Sequence, residues 1–375
     1  MKDTFDIPSP CFVMEEQKLI DNLKRIHHVS QLAGVDLILA FKAFAMWGAF
    51  PIVKGYVKGA TASSLNEVLL CNEKMGTKSH TYCVAYDTSE FQDIVNGSSH
   101  LTFNSLSQYD LHEANVPDEV SIGLRINPEW SDVKTELYNP ASSGSRLGIN
   151  SEALDHLPAR VEGLHLHVLC ESDSFALEQV LQHVEAKFGK HLRQVKWVNL
   201  GGGHLVTEKD YDTAHLVSLL KAFKSKYEVD LIMEPGSAFV WQTGRLYTTV
   251  LDVVKNGGVN TAIIDASFTC HMPDCLEMPY RPHVYGASQE KRTDAIGYRL
   301  GGVSCLAGDY LDTYWFDKEV SVGDQLIFED MMHYTMVKTT MFNGIKHPSI
   351  GIQKVDGSFE VLRKFGYEDY RDRLS

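Results

Sequence analysis

The sequence of 375 residues contains no apolar run that approaches the roughly 20 residues needed to cross a bilayer. Its first ten residues, MKDTFDIPSP, lack the basic start and the apolar stretch that mark a secretory signal. The seven cysteines are odd in number, and no two of them have the CxxC spacing of a zinc site. We therefore expect a cytoplasmic protein with no membrane partner, no disulfide framework and no metal site.

Basic residues are also comparatively scarce. The chain carries 35 Lys and Arg against 49 Asp and Glu, which gives a formal net charge of -14. A strongly acidic protein is poorly suited to nucleic acid, so we expect no nucleic-acid partner. The same charge favours the approach of a cationic small molecule, although it also serves solubility.

Two sequence patterns alternate between residues 36 and 236. Short apolar runs are typical of buried strands, and longer amphipathic stretches are typical of helices. One such stretch, SSLNEVLLCNEKMG, has an N-cap serine and a glycine stop. Eight strand–helix units predict a (β/α)₈ TIM-type barrel over residues 12–240, with an open doubly wound sheet as the alternative. The eight predicted strands are 36–41, 56–62, 79–85, 100–104, 120–126, 161–168, 195–200 and 229–235.

The pattern changes after residue 240. Runs such as RLYTTVLDVV, NTAIIDASF and DQLIFED have a β-like composition and are separated by turn residues, while helical periodicity largely disappears. We therefore predict a second, mostly antiparallel β domain over residues 241–375, with residues 1–11 as a candidate addition to it.

Reactive and polar residues follow several of the predicted barrel strands. In a (β/α)₈ barrel the carboxyl ends of the strands meet at the active-site face. Each residue has an ordinary explanation by itself, because lysines are usually solvated, GGG usually forms a turn and histidines often lie in a core. Together, a lysine, a glycine cradle for phosphate, a flat stacking partner and a carboxylate match pyridoxal phosphate. The residues are Lys42, Arg125, His165, His167, Gly201, Gly202, Gly203 and Glu234.

On these residues the sequence resembles the alanine racemase-like (fold type III) pyridoxal phosphate decarboxylases, which include ornithine and diaminopimelate decarboxylases. The resemblance extends over nearly the full length. It implies that Lys42 in LAFKAF forms the Schiff base, that His167 in GLHLHV stacks on the cofactor ring, and that Glu234 in EPG pairs with the pyridine nitrogen. The other cofactor-binding residues that it implies are Arg125, Gly201, Gly202, Gly203, Gly236 and Tyr334.

The resemblance also assigns roles in the second domain. Cys305 in GGVSCLAGD matches the catalytic cysteine that donates a proton, although a small buried hydrophobe is the commoner fate of a free cysteine. In the family, an acidic residue near the position of Asp309 binds the distal amine of the substrate. The family resemblance implies a homodimer with shared active sites. Asp274 and Glu277 are further candidates for the distal amines, or else solvated loop acids.

Two departures point to one branch of the family. HVLCES replaces the glycine and serine that often follow the stacking histidine, and Ser237 replaces an arginine after EPG. ATASSLNE, SRLGIN, HMPDCLEMPYRP and SCLAGD are instead similar to carboxynorspermidine decarboxylases. This resemblance implies decarboxylation of the cationic polyamines carboxynorspermidine and/or carboxyspermidine, and we expect both to be accepted. The alternatives are a decarboxylase of diaminopimelate or another basic amino acid, a racemase, and a non-catalytic regulator that binds pyridoxal phosphate.

Overall fold

A computed structural model describes residues 6–134, 139–142 and 144–375. The chain divides into two compact units. One unit, the barrel unit, comprises Ile20–Phe239, and the other, the sheet unit, combines Met1–Leu19 with Val240–Ser375. In the described part of the chain, each unit contains one nine-stranded sheet.

Strands and helices alternate along the barrel unit, whereas strands predominate in the sheet unit. The strands are β1 (Cys11–Glu15), β2 (Asp36–Leu37), β3 (Leu39–Ala40), β4 (Ala60–Ala62), β5 (Ser79–Tyr82), β6 (Ser98–Phe103), β7 (Ser121–Arg125), β8 (Val161–His165), β9 (Trp197–Asn199), β10 (Asp230–Met233), β11 (Gly244–Asn256), β12 (Val259–Ile264), β13 (Ala287–Ser288), β14 (Ile296–Gly301), β15 (Tyr310–Phe316), β16 (Gln325–Glu329), β17 (Ser349–Gln353) and β18 (Phe359–Arg363). The helices are α1 (Glu16–Ala33), α2 (Phe50–Val53), α3 (Leu65–Leu70), α4 (Phe91–Asn96), α5 (Leu106–His112), α6 (Ser174–Leu192), α7 (Thr213–Tyr227), α8 (Ser237–Val240), α9 (Phe268–His271), α10 (Pro273–Glu277) and α11 (Tyr367–Arg371).

Strands β2 to β10 form a parallel sheet in the order β2-β10-β9-β8-β7-β6-β5-β4-β3. β2 and β3 are two parts of one strand that is interrupted at Ile38. The first part pairs with β10 and the second with β4, so the sheet nearly closes on itself. This confirms the (β/α)₈ barrel and excludes the open doubly wound sheet. Each of the eight predicted runs overlaps a strand of the barrel.

Trp197 on β9 is buried and packs against Ile38 and Ile232. Its indole Nε1 donates a hydrogen bond of 2.8 Å to Ser121 Oγ. The neighbouring strand supplies Gly163, where an added Cβ would lie 2.0 Å from Cε2 of the indole. The ring therefore occupies space that any larger residue at position 163 would take.

The helical stretch that begins with α3 starts and ends at the predicted signals. Ser64 is the N-cap of α3, and its hydroxyl accepts from the Glu67 N–H at 3.4 Å. α3 continues into a π-helical turn, Cys71–Met75, which ends at Gly76 with φ 72°. Left-handed backbone at this position favours glycine, as the predicted stop requires. Among the described helices, none combines the length and the apolar character that a membrane crossing needs.

The sheet unit contains the order β13-β15-β14-β12-β11-β1-β17-β18, with β16 paired to β11. Most neighbours are antiparallel, which confirms the predicted class of this domain. The parallel exceptions among the described strands are β1 with β17 and β12 with β14. β1 lies inside the sheet between β11 and β17, so the beginning of the chain contributes a central strand. Cys11 and Val13 on β1 pack with Tyr247 in a buried cluster.

We predict that Gly163→Ala destabilises the protein by about 1–3 kcal/mol, because the new methyl group must displace the buried indole of Trp197. Urea denaturation, followed by tryptophan fluorescence, measures this loss. Gly55→Ala is the matched control, since its nearest atom would lie at an ordinary 3.5 Å. An equal effect of the two substitutions would contradict the packing explanation.

Candidate active site

Lys42 follows β3 and lies at the carboxyl end of the barrel strands. Its Nζ is 2.9 Å from Nε2 of His167, which follows β8. On the opposite side of the imidazole, the Gly202 N–H donates to Nδ1 at 2.9 Å. The barrel therefore brings the predicted lysine, histidine and glycine turn into one hydrogen-bonded group.

The surroundings of Lys42 make its neutral form more accessible than that of an ordinary lysine. Burial of the amine group lowers its pKa, the charge of Glu234 opposes this and the charge of Arg125 adds to it, with a net value of about 8. Glu67 contributes a second, weaker opposing charge, and its carboxylate accepts from the Ser63 N–H at 2.6 Å. An amine of this kind carries an unshared electron pair much more often near neutral pH than an ordinary lysine does.

Glu234 follows β10 and is buried, with 7% of its surface exposed. Its Oε1 accepts a hydrogen bond of 2.7 Å from Asn199 Nδ2, and the Asn199 Oδ1 accepts from the Gly201 N–H at 2.9 Å. Burial raises the pKa of Glu234, while the Asn199 hydrogen bond and the charge of Lys42 lower it. Asn199 thus links the carboxylate to the glycine turn.

The glycine turn has no room for side chains. Gly201 and Gly203 have φ values of 66° and 93°, which favour glycine. A Cβ on Gly202 would lie 2.3 Å from the Glu234 carbonyl oxygen, and one on Gly203 would lie 2.1 Å from the Leu169 carbonyl oxygen. Glycine therefore keeps side chains out of this turn, as it does in anion-binding loops. Gly236 is similarly enclosed, because a Cβ there would lie 2.4 Å from the Ala43 Cβ.

Arg125 ends β7 and is almost completely buried. Its Nη2 donates to the His167 carbonyl oxygen at 3.0 Å, and its guanidinium lies 4.7 Å from the centre of the Tyr82 ring. The Tyr82 hydroxyl donates to Asn104 Oδ1 at 2.7 Å. Arg125 therefore positions the backbone of the histidine.

His165 is the last residue of β8 and is also buried. Its Nε2 lies 3.7 Å from Glu234 Oε2. Burial lowers the pKa of His165 well below its usual value, and the charge of Arg125 adds to this. A neutral imidazole therefore lies beside Oε2 of the carboxylate.

Asn199 and Tyr82 also belong to the site, although the sequence does not single them out. Both lie within strands, at the ends of β9 and β5, whereas most of the predicted residues follow strands. Asn199 had one usable signal, because an asparagine two residues before a glycine turn at the active-site face can accept from that turn.

The sheet unit contains the other predicted residues. Asp274 in α10 is buried, with 8% of its surface exposed. Its Oδ2 accepts from the Tyr280 hydroxyl at 2.7 Å and from Thr335 Oγ1 at 2.9 Å. Its Oδ1 is buried and has no hydrogen-bond partner among the residues that the structure describes. Glu277 differs, because it is exposed and forms an ion pair with Lys338.

Asp309 is buried, and both of its carboxylate oxygens accept backbone hydrogen bonds. Oδ1 accepts from the Thr269 N–H and Oδ2 from the Ser304 N–H, each at 3.0 Å. The carboxylate therefore shapes the loop that carries Cys305. The Cys305 side chain is exposed, and its N–H donates to Asn343 Oδ1 at 2.9 Å.

Tyr334 precedes a 3₁₀ turn and adopts φ 49° and ψ -59°. A residue with a side chain rarely adopts positive φ, and such strained conformations are concentrated at functional sites.

Cys305 differs from the other six cysteines of this chain in that its side chain is exposed. Cys11, Cys71, Cys83, Cys270 and Cys275 are buried, and Cys170 is partly buried.

Comparison with known proteins identifies the family. Residues 11–332 match the family model described as pyridoxal-dependent decarboxylase, C-terminal sheet domain. A carboxyaminopropylagmatine decarboxylase from Synechocystis is 50% identical over 371 residues, which cover 98% of this chain and 96% of the relative. A carboxynorspermidine/carboxyspermidine decarboxylase from Campylobacter jejuni is 41% identical over 375 residues, which cover 97% and 98% of the two chains.

The fold agrees with this assignment. A crystal structure of carboxynorspermidine decarboxylase from Campylobacter jejuni, complexed with norspermidine, superposes with a TM-score of 0.91 at 39% identity. The superposition covers 98% of this chain and 100% of that one. The protein is an enzyme that depends on pyridoxal phosphate, and its chain belongs to the pyridoxal-dependent decarboxylases.

Proposed function

We propose that this enzyme decarboxylates a carboxylated polyamine whose cationic nitrogens lie beyond the reacting carbon. The observation that carries the proposal is the buried Oδ1 of Asp274, which has no partner among the described residues. A buried carboxylate oxygen without a donor is costly, so a ligand that donates to it gains affinity. An ammonium or guanidinium group of the substrate provides such a donor together with the opposite charge.

Two types of substrate have a cationic tail of this kind. The relative that is 41% identical is named for carboxynorspermidine and carboxyspermidine. The similar crystal structure contains bound norspermidine. Carboxyaminopropylagmatine is the second candidate, because the relative named for it is 50% identical. Its guanidinium group can donate a charge-assisted hydrogen bond to the Oδ1 of Asp274. Diaminopimelate is disfavoured, since its distal carboxylate would meet the like charge of Asp274.

The barrel residues fit pyridoxal phosphate. The fit rests on an amine with a lowered pKa at Lys42, a turn with no room for a Cβ at residues 201–203, and a buried carboxylate at Glu234. Lys42 would hold the aldehyde carbon, the glycine turn and Tyr334 the phosphate, Glu234 the ring nitrogen, and His167 one face of the ring. When bound, the cofactor supplies an electron sink for the pair that departing CO₂ leaves behind.

The residues of this chain then have separate tasks. Glu234, held by Asn199 through Oε1, offers Oε2 as the negative partner of a protonated ring nitrogen. Arg125 positions His167 through its carbonyl oxygen. Cys305 donates a proton from Sγ to the α-carbon after CO₂ has left. Its exposed position is compatible with access to a substrate.

The active form is proposed to be a cytoplasmic homodimer in which the Cys305 segment of one subunit completes the site of its partner. Several residues close to Cys305 in the sequence have exposed apolar side chains, which is typical of a surface that another subunit covers. They are Val303, Leu306 and Tyr310, with Phe342 next to the Asn343 that holds Cys305. All seven cysteines are free, as a reducing compartment requires.

Steady-state kinetics with a substrate panel test the proposed activity. We expect carboxynorspermidine, carboxyspermidine or carboxyaminopropylagmatine to exceed diaminopimelate in kcat/KM by about 100-fold or more, because diaminopimelate would leave two buried carboxylates facing each other. The products are identified by their mass. Faster turnover of diaminopimelate than of every carboxylated polyamine would contradict the proposal.

Asp274→Asn tests the residue on which the proposal depends. The amide keeps an oxygen for Tyr280 and Thr335 but removes the negative charge, so kcat/KM for the best polyamine should fall about 10- to 100-fold, mainly through KM. Glu277→Gln is the matched control, because Glu277 is exposed and already paired with Lys338. Unchanged kinetics in Asp274→Asn would remove this residue from substrate recognition.

Two variants test the roles of Lys42 and Cys305. Lys42→Ala should abolish the visible absorbance band of the bound cofactor, because the covalent link to Nζ is lost. Cys305→Ala should keep that band but greatly reduce turnover or divert it to side products, since only proton delivery is removed. A Cys305→Ala enzyme with normal rate and normal products would exclude Cys305 from the mechanism.

The same pair of variants tests the shared site. If each site combines residues from two subunits, an equal mixture of the two inactive variants contains dimers with one intact site, and about a quarter of the normal activity should return. A mixture as inactive as its components would contradict the shared arrangement.

A further inference from the structure

The hydrogen bond between Gly202 and His167 fixes the position of the imidazole proton. A backbone N–H can only donate, so Nδ1, 2.9 Å from the Gly202 nitrogen, must carry an unshared pair. Burial lowers the pKa of His167 well below its usual value, and the charges of Lys42 and Arg125 lower it further. The ring is therefore neutral, and its single proton must lie on Nε2.

This proton points to Lys42. The Nε2 of His167 lies 2.9 Å from Nζ, within hydrogen-bond distance. An ammonium group has three N–H donors and no acceptor, so it cannot accept from Nε2–H. A neutral amine can accept through its unshared pair. The two hydrogen bonds of His167 are both satisfied only when Lys42 is neutral.

We propose that the Gly202 N–H fixes His167 as a hydrogen-bond donor to Lys42, and that His167 thereby acts as a positioning residue that presents Nζ as a neutral, nucleophilic amine. The inference deepens the proposed role of Lys42 as the attachment point of the cofactor and rests on it. It concerns Lys42 whenever Nζ carries no covalent partner. His167 then has a task before the cofactor is attached, in addition to its proposed place at the face of the ring.

The other groups around Lys42 pull in both directions. The carboxylates of Glu234 and Glu67 favour the ammonium form, and so does the thiol of Cys170 when ionised. The guanidinium of Arg125 opposes it. Because charges of both signs face the amine, the direction of the hydrogen bond from His167 contributes to the balance. The pKa of Lys42, lowered to about 8, agrees with that direction.

Protonation of Lys42 must consequently disturb the glycine turn. An ammonium at Nζ would donate to Nε2, which would require the imidazole proton to move to Nδ1. Nδ1–H and the Gly202 N–H would then face each other as two donors, and the bond between them would be lost. The charge of the lysine and the conformation of the proposed phosphate-binding turn are thus coupled through one imidazole ring.

Nitrogen NMR of the full-length chain, freed of its cofactor and labelled at histidine and glycine nitrogens, tests this directly. At pH 9 we expect His167 to show an unprotonated Nδ1 and a protonated Nε2, with its signals assigned by their loss in His167→Gln. The Gly202 amide shift should titrate with a midpoint near 8, the pKa of Lys42, and this titration should disappear in Lys42→Met. A protonated Nδ1 at pH 9 would overturn the proposal, as would a Gly202 signal that titrates equally in Lys42→Met.

Chemical labelling gives a second measurement on the same protein. The pH dependence of acetylation by acetic anhydride, read by mass spectrometry, should have a midpoint near 8 for Lys42, with the exposed Lys24 as an internal standard. In His167→Gln the side-chain oxygen can turn to the ammonium, so the Lys42 midpoint should rise by about one pH unit, as loss of one hydrogen bond to the neutral form predicts. His167→Asn serves if the first variant does not fold, because it can still accept from Gly202 but offers Lys42 no donor at the Nε2 position.

An unchanged Lys42 midpoint in a folded His167 variant would overturn the proposal. Neither measurement involves a substrate or product. Failure of the inference would therefore leave the proposed decarboxylation intact, and failure of the substrate panel would leave the inference intact.

Discussion

The buried carboxylate of Glu234 is the constraint on which the active end of the barrel depends. A carboxylate in a protein interior is costly unless donors and opposite charges surround it. The barrel provides both, since Asn199 donates to Oε1 and the charges of Lys42 and Arg125 lower the pKa that burial has raised. The compensation is mutual, because Glu234 also opposes the loss of positive charge at Lys42. Changing one of these groups therefore changes the ionisation of the others.

The sequence predicted the barrel and the residues after its strands for a simple reason. Strand burial appears as apolar runs, and a parallel barrel brings the carboxyl ends of all its strands to one face. Lys42, His167 and the glycine turn could thus be predicted to lie together before any contact was known. Closure of the sheet was not predictable in the same way, because an apolar run shows burial and not pairing. The interruption at Ile38, which lets one strand pair on both sides, is visible only in the hydrogen-bond register.

The unpredicted part of the site consists of hydrogen bonds between residues that are distant in sequence. Asp274 and Asp309 illustrate the difficulty, because the sequence presents each as an acid in an irregular segment. In the folded chain Asp309 uses both oxygens to hold backbone N–H groups, whereas Asp274 keeps one buried oxygen without a partner among the described residues. An aspartate thus holds a loop at position 309, whereas the aspartate at position 274 is the one that we propose to bind a ligand. No pattern in the sequence distinguishes these outcomes, because the donors are brought close only by folding.

The charge of Asp274 bears on the class of substrate that we propose for this enzyme. In the proposed site, the negative charge of Asp274 would select between classes of substrate, because a distal cation would gain a partner where a distal carboxylate would meet a like charge. Selection among polyamines depends on smaller energies, since one methylene changes binding in an apolar pocket by only about 1–3 kcal/mol. On this proposal, charge sets the class of substrate, and the length of the substrate and its terminal ammonium or guanidinium set the individual preference. An enzyme built in this way is expected to reject diaminopimelate strongly while it discriminates only modestly between carboxynorspermidine and carboxyspermidine.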